Sequence, residues 1–204
     1  MNNINDFLVN DCNDFKNFTV ICEDFYNNPF SVFKQSIETG YPDNWPYGTR
    51  TTTFNKHDCI KSNIIKYLPH FTNNNLNGEF TGVSGSFLKN VKNAHGIWNH
   101  VDYSIDDTTR WAAVIYTHPF PNINAGTSLN SYVNTSYKYI NSYSPVEMLA
   151  NKNDSNRWFK NIYIGNTFNK LVIYPGGSFH ALASHFGHTL YNCRITNTFF
   201  ISSI

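Results

Sequence analysis

The chain has 204 residues with a formal net charge of +1, and 41% of them are apolar, 17% aromatic and 14% charged. This length suffices for a substantial core, and so low a charge excludes disorder caused by self-repulsion. The near-zero net charge gives no general attraction to nucleic acid or to anionic membranes. No apolar run reaches the roughly 18 residues that a membrane span needs. We therefore expect one domain over residues 1–204, with no general nucleic-acid binding and no membrane span.

The amino terminus and the cysteines indicate the cellular compartment. Residues 1–15 contain no basic stretch followed by an apolar core, which argues against a secretion signal. The 4 cysteines form no CxxC pair, so free thiols in a reduced protein are favoured over a zinc site. These features predict a cytoplasmic protein. The 31 asparagines, together with many Lys, Ile and Tyr residues, have AT-rich codons and indicate a low-GC bacterial, phage or viral genome.

The first part of the chain, about 1–78, carries helical signals after one short strand at 18–22. Asn28 is a plausible N-cap, Pro29 suits the first helical position, and Gly40 is a stop signal. Four apolar residues are spaced to line one helical face: Phe30, Val32, Phe33 and Ile37. A second helix is predicted over residues 57–68.

From about residue 79 onward the sequence changes to short β-forming runs separated by turn residues. These runs cover residues 79–90, 95–105, 110–120, 134–143, 169–182 and 193–204. Short strands at this spacing are typical of a β-sandwich or jelly roll. The predicted architecture is therefore α+β, with N-terminal helices packed on a β core that spans about 79–204.

Candidate metal ligands lie in two of these runs. His100 and Asp102 close one strand, and residues two apart on a strand point to the same face. His180 follows a later apolar strand and a turn. Two imidazoles and one carboxylate form the facial triad of non-heme iron(II) oxygenases, which leaves three metal positions open. His185 and His188 follow closely, so either of them remains an alternative to His180 as the distal ligand.

A possible anion anchor opens the last apolar strand. Arg194 comes fourteen residues after His180, and a guanidinium can hold a carboxylate through two hydrogen bonds. Thr196 lies two residues further on, so its hydroxyl shares the strand face of Arg194. The ordered set of HxD, a distal His and RxT favours a metal site more strongly than the HxD triplet alone.

The stretch from residue 100 to residue 200 resembles the 2-oxoglutarate oxygenases related to prolyl hydroxylases, and most closely a bacterial and phage subgroup. That group follows its HxD segment with a WAxxxY strand, a GT turn, FNxLVxY, a distal His and RxTxxFF. The matching residues here are Trp111-Ala112, Tyr116, Gly126-Thr127, Phe168-Asn169, Leu171-Val172, Tyr174, His180, Arg194, Thr196 and Phe199-Phe200. The segment after the GT turn, Ser128-Leu129-Asn130, departs from the group's pattern, so substrate contacts cannot be transferred there.

This resemblance implies a double-stranded β-helix, a jelly-roll or cupin-like fold, with iron(II), 2-oxoglutarate as cosubstrate and dioxygen. It implies a dioxygenase of the hydroxylase type, in which iron is held by His100, Asp102 and His180. The far carboxylate of 2-oxoglutarate would bind Arg194 and Thr196. No further catalytic residue is expected, and the favoured substrate is a peptide or another small polar molecule. Two alternatives stay open: a metal-free jelly-roll binding or virion structural protein, and a cupin-like metalloenzyme that does not use 2-oxoglutarate.

Overall fold

The computed structural model describes residues 4–5, 19–41, 43–45, 48–51, 80–90, 109–132, 154–189 and 191–203. The described part of the chain contains one α-helix, α1 (Pro29–Glu38). Its strands are β1 (Ile4–Asn5), β2 (Val20–Cys22), β3 (Asp43–Trp45), β4 (Gly48–Arg50), β5 (Phe80–Asn90), β6 (Thr109–Tyr116), β7 (Thr127–Tyr132), β8 (Trp158–Ile164), β9 (Leu171–Pro175), β10 (His180–Leu182) and β11 (Arg194–Ser203). The predicted ligands His100 and Asp102, the predicted helix 57–68 and the predicted strand 134–143 lie outside the described residues.

The described strands form two antiparallel sheets. The larger sheet has the order β1-β2-β9-β6-β11-β5-β4-β3, and the smaller one has the order β10-β7-β8. The long strand β11 lies at the centre of the larger sheet, between β5 and β6. Strand β9 belongs to the larger sheet and β10 to the smaller one, so the chain passes from one sheet to the other between Pro175 and His180.

The two sheets pack against each other through alternate residues. The buried core between them contains Ala112, Val114 and Tyr116 of β6, Val172 and Tyr174 of β9, Leu129 of β7 and Ile164 of β8. Side chains of residues paired across an antiparallel ladder point to the same face. Because Thr196, Thr198 and Phe200 of β11 pair with these inward residues of β6, they also face the space between the sheets. The β core is therefore a sandwich whose inner face carries polar as well as apolar side chains.

Helix α1 packs on the outer face of the larger sheet. The Asn28 side chain accepts a hydrogen bond from the Ser31 amide at 3.2 Å, and Pro29 occupies the first turn, which confirms the predicted start of the helix. Val32 and Phe33 pack against the buried Ile195, whose side chain points away from the sandwich interior.

The predicted apolar face of α1 is wrong at one position. Phe30 is 63% exposed, and its ring lies 5.1 Å from the ring of Phe168. The fully buried residue of the helix is Ser36, whose hydroxyl donates to the Phe33 carbonyl at 2.6 Å. Spacing along the helix therefore predicted the packing of Val32 and Phe33 but not the exposure of Phe30.

Several strands were not predicted from the sequence. The predicted strand at 18–22 is confirmed as β2, but the stretch expected to be helical also contributes β1, β3 and β4, and all four strands lie toward the two edges of the larger sheet. Strands β7 and β8 were missed as well, and their pairing register shifts between Leu129 and Asn130. Such an irregularity breaks the alternation of apolar and polar residues from which a strand is recognised. No helix within the described ranges is long and apolar enough to cross a membrane.

A close backbone approach at Gly126 gives a first testable prediction. A Cβ atom at this position would overlap the Ile164 carbonyl on β8, whereas nothing lies within 4 Å of a Cβ at Gly40. We expect Gly126→Ala to lower the free energy of unfolding by about 1–3 kcal/mol, as overpacking does. The matched variant Gly40→Ala should be neutral or slightly stabilising. Urea unfolding measures both changes, and equal stabilities would show that β7 and β8 are not this close.

Candidate active site

The side chains of Arg194 and Thr196 lie on the inner face of β11. Thr196 pairs with Tyr116 of β6, so both side chains point between the sheets, and Arg194 shares this face two residues earlier. Arg194 is 4% exposed and Thr196 is 1% exposed. Within the described residues, the Thr196 hydroxyl has no hydrogen-bond partner. A buried hydroxyl left unsatisfied costs free energy, so this one is available to a ligand.

The described contacts of the Arg194 guanidinium include a carbonyl of the turn before β7 and an aromatic ring of β6. Its Nε donates to the Ala125 carbonyl at 2.9 Å, and its central carbon lies 5.5 Å from the ring centroid of Tyr116. Burial lowers the pKa of Arg194, and the phenol of Tyr116 opposes this shift. Because the ordinary pKa of arginine is far above neutrality, the group remains a cation. A buried cation with a fixed orientation favours a carboxylate ligand.

Two residues join this anchor that were not predicted as site residues. The Tyr116 hydroxyl donates to Thr127 Oγ1 of β7 at 2.9 Å, which links the two sheets beside Arg194. Burial raises the pKa of Tyr116, while the positive charge of Arg194 lowers it. The phenol therefore stays neutral and keeps its proton for hydrogen bonding. The sequence showed Tyr116 as part of a motif, but only the register that pairs it with Thr196 places it in the site.

His180 opens β10 and faces the larger sheet. It is 5% exposed, and its ring centroid lies 4.7 Å from that of Tyr174. The Nδ1 atom lies 3.0 Å from the Ser178 carbonyl oxygen. A carbonyl can only accept a hydrogen bond, so Nδ1 is the protonated nitrogen and Nε2 carries the lone pair. This is the arrangement found in metal-binding histidines, whose second nitrogen is oriented by a carbonyl or carboxylate.

The two alternative histidines occupy a different environment. His188 is exposed, and His185 is partly buried; both lie between β10 and β11. The backbone amide of His188 donates to the side-chain oxygen of Asn192 at 2.9 Å, as in a turn. His180 differs from both in lying within a strand and facing the space between the sheets. This geometry favours His180 as the histidine that contributes to a site there.

His180 and Arg194 lie at two levels of the same inter-sheet space. His180 contacts Tyr174, which pairs with Ala112, whereas Arg194 contacts Tyr116. Ala112 and Tyr116 are four residues apart on β6, which corresponds to roughly 13 Å along a strand. Both functional groups therefore lie in the space between the two sheets.

The predicted metal triad is only partly within the described structure. In the ranges that the structure describes, no three His, Cys, Asp or Glu residues cluster closely enough to hold a metal ion. Of the three predicted ligands, those ranges include His180 alone. Arg194 and Thr196, the predicted cosubstrate residues, are both described and share one strand face.

The buried imidazole predicts an acid sensitivity of the metal-free protein. Burial lowers the pKa of His180 from 6.5 to about 4, and its hydrogen bond to Ser178 offsets part of this shift. Above pH 6.5 the imidazole is neutral in both states, so it has no effect there. As the pH falls from 6.5 to 4, the His180 imidazole becomes protonated in the unfolded chain but stays neutral in the folded chain. Stability therefore falls over this range, by up to about 3 kcal/mol.

Chemical denaturation at a series of pH values, with a chelator present, tests this expectation. His180→Gln removes the titrating group, so its unfolding free energy should fall less steeply between pH 6.5 and 4 than that of the parent protein. Parallel curves for the two proteins would show that His180 titrates normally in the folded state.

Comparisons with known proteins found similarity at the level of three-dimensional structure. No family model matches the chain, and no curated protein sequence matches it. Solved structures do match. A prolyl-4-hydroxylase from Pseudomonas putida is 12% identical with a TM-score of 0.55, over 90% of this chain and 91% of that one. A prolyl hydroxylase from Trichoplax adhaerens, in complex with a hypoxia inducible factor peptide fragment, is 12% identical with a TM-score of 0.53, over 90% and 83% of the two chains.

A third similar structure contains a small molecule rather than a peptide. HygX from Streptomyces hygroscopicus, with nickel, 2-oxoglutarate and hygromycin B bound, is 10% identical with a TM-score of 0.57, over 90% of this chain and 82% of that one. At these identities the similarity shows the fold. The larger and smaller antiparallel sheets agree with it. The chain therefore has the jelly-roll fold that these prolyl hydroxylases and this 2-oxoglutarate-binding protein share.

Proposed function

We propose that this chain is a non-heme iron(II)- and 2-oxoglutarate-dependent oxygenase that hydroxylates a peptide or another small polar substrate. The observation that carries the proposal is a buried arginine beside a buried hydroxyl that has no hydrogen-bond partner among the described residues, on the inner face of a jelly roll. His180 faces the same inter-sheet space, where its ring contacts Tyr174. The fold shared with proteins that bind 2-oxoglutarate supports this assignment.

The metal would be held by His100, Asp102 and His180. The state of His180 fits this role, because a neutral imidazole with Nδ1 protonated offers the Nε2 lone pair to a cation. Its low pKa means that protons do not compete for Nε2 near neutral pH. His100 and Asp102, two residues apart in a predicted strand, would add the second imidazole and the one carboxylate of a facial triad.

The cosubstrate would be held by Arg194 and Thr196, with Tyr116 beside them. A guanidinium provides two parallel donors for the far carboxylate of 2-oxoglutarate, and Thr196 provides a hydroxyl from the same strand face. All three side chains are buried, so water is excluded and their hydrogen bonds to an anion are strengthened. Because Tyr116 keeps its proton, it adds no negative charge that would repel a dicarboxylate.

Bound iron(II) and 2-oxoglutarate would supply the oxidising chemistry, in which dioxygen is consumed and 2-oxoglutarate is converted to succinate and carbon dioxide. The residues of the chain bind, orient and shield these groups. The similar structures include a prolyl hydroxylase with a peptide and HygX with hygromycin B, which supports a peptide or a small polar molecule as the substrate class.

Succinate release tests the proposal. The purified protein is incubated with iron(II), 2-oxoglutarate, dioxygen and ascorbate, and is screened against peptides, nucleosides and free amino acids. Succinate formation that requires both iron and 2-oxoglutarate supports the oxygenase assignment. A protein that binds neither would instead be a jelly-roll binding or structural protein, and one that binds metal but not 2-oxoglutarate would be a cupin-like metalloenzyme.

A further inference from the structure

Exposure increases along the inner face of β7. Alternate residues of a strand share one face, and Leu129 belongs to the core between the sheets, so Thr127 and Ser131 also face inward. Thr127 is 3% exposed and Leu129 is 8% exposed, whereas Ser131 near the end of the strand is partly exposed. The inner face of the smaller sheet therefore approaches solvent toward the carboxyl end of β7.

Strand β8 adds two exposed side chains at this end of the sheet. Phe159 pairs with Ser131, so their side chains share the inner face, and the phenylalanine is 65% exposed. The exposed Asn161 lies on the same side, because the Ser131 hydroxyl donates to its Oδ1 atom at 3.3 Å. Lys160 faces the other way, with its Nζ atom 5.3 Å from the ring centroid of Tyr163. The three inner-face residues are therefore an aromatic ring and an uncharged polar pair.

The proposed cosubstrate and metal residues are arranged in order along the same strand. Arg194 donates to the carbonyl of Ala125, just before β7, and His180 pairs with the third residue of the strand. Ser131 is two residues further on, about 7 Å along the strand, and Phe159 lies one strand spacing of about 4.8 Å to its side. A ligand that extends from His180 in the direction away from Arg194 therefore approaches Phe159.

The chemistry of these exposed side chains suits a planar, uncharged ligand with a carbonyl oxygen. The face of a phenylalanine ring packs favourably against flat groups. Asn161 Oδ1 already accepts a hydrogen bond from Ser131, so the amide nitrogen of Asn161 presents its two N–H donors to a ligand. An extended peptide offers a planar amide and a carbonyl at each residue, with a rise of about 3.3 Å per residue. Two or three residues would cover the interval from His180 to Phe159.

We propose that Phe159 and Asn161 form a substrate subsite, which binds an uncharged peptide segment two or three residues from the residue that is hydroxylated. This inference rests on the proposed function and narrows its substrate class to peptides. A planar amide group of the segment packs on the Phe159 ring, and a backbone carbonyl accepts a hydrogen bond from Asn161 Nδ2. Charged side chains in the segment meet no opposite charge on Ser131, Phe159 or Asn161.

Succinate release driven by two pools of blocked nonapeptides tests the subsite. One pool contains only uncharged residues, and the other has Asp, Glu, Lys or Arg at half of its positions; the parent protein should turn over the uncharged pool faster. Phe159→Ala and Asn161→Ala should each lower kcat/KM for that pool about three- to tenfold, the range for one aromatic contact or one hydrogen bond. Phe159→Tyr keeps the ring and should stay within about twofold of the parent. The control Phe120→Ala removes an 82% exposed phenylalanine from the turn before β7 and should not change the rate.

A second measurement, titration of 2-oxoglutarate into the manganese(II)-loaded protein without oxygen, separates substrate binding from damage to the site. Phe159→Ala and Asn161→Ala should bind both manganese and 2-oxoglutarate like the parent, because neither residue is a proposed ligand of either. Lost affinity for 2-oxoglutarate in these variants would overturn the subsite. So would unchanged rates in both variants, an equal loss in Phe120→Ala, faster turnover of the charged pool, or a parent that binds 2-oxoglutarate but turns over neither pool. The proposed function stands in those cases, whereas a parent that binds neither metal nor 2-oxoglutarate overturns both proposals.

Discussion

Replacing Asp102 with alanine is expected to weaken iron(II) binding by at least about a hundredfold, since partners that merely orient a metal ligand are already worth about 10- to 100-fold. Asp102 is the only anionic residue among the three proposed ligands, so two neutral imidazoles would remain. Succinate release should fall in parallel. Anaerobic titration with iron(II) or manganese(II) measures the affinity. An Asp102→Ala protein that binds metal as tightly as the parent shows that the triad is wrong.

The distal ligand is tested in the same titration by a matched pair of histidine variants. His180→Ala removes the buried imidazole whose Nδ1 is oriented by the Ser178 carbonyl, and it should lose metal binding to a similar extent as Asp102→Ala. His188→Ala removes an exposed side chain and should bind like the parent. Circular dichroism confirms that each variant is folded. The reverse result, with binding lost only in His188→Ala, would transfer the ligand role to the segment between β10 and β11.

Arg194→Ala is expected to weaken 2-oxoglutarate binding by about ten- to a hundredfold, which corresponds to the roughly 1.5–3 kcal/mol of a hydrogen bond to a charged group. Arg194→Lys retains the charge but loses the paired donors, so it should recover only part of the affinity. The measurement is a 2-oxoglutarate titration of the manganese-loaded protein. Manganese affinity itself should change little, because Arg194 is not one of the three proposed metal ligands.

The control for Arg194 is an exposed arginine. Arg157 lies just before β8, where its side chain is 45% exposed and 3.9 Å from Asp154. Arg157→Ala removes the same charge from the surface, so it tests whether net charge alone affects the binding of a dianion. If the Arg194→Ala and Arg157→Ala proteins bind 2-oxoglutarate equally well, Arg194 is not the residue that binds the far carboxylate.

The sequence predicted those features that depend on local rules. The start of α1 follows from the capping residue Asn28 and the proline after it, and both rules act within one helical turn. The apolar runs of β6, β9 and β11 are buried strands and were recognised as such. Their chemistry-bearing residues, Arg194 and Thr196, lie side by side on one face because alternation along a strand is also a local property.

Features that depend on pairing between distant segments were missed. The position of Tyr116 beside Arg194 depends on the register of β6 against β11, which no residue of either strand shows on its own. The link from Tyr116 to Thr127 depends further on how β7 sits across the sandwich. Phe30 was assigned to the apolar face by spacing alone, yet it is exposed, and the fully buried residue of the helix is Ser36. Which side chains become buried or adjacent in these examples depends on contacts between segments that are distant in sequence.

The connection between β10 in the smaller sheet and β11 in the larger sheet separates His180 from Arg194 in the sequence. His180 is placed by its pairing with Leu129, and Thr196 by its pairing with Tyr116. Both pairings are made by residues of the strands themselves. Doubling the length of such a connection costs only about 0.6 kcal/mol of closure entropy. The number of residues between His180 and Arg194 is therefore free to drift during evolution, and motif searches with fixed spacing will overlook chains that share the same site.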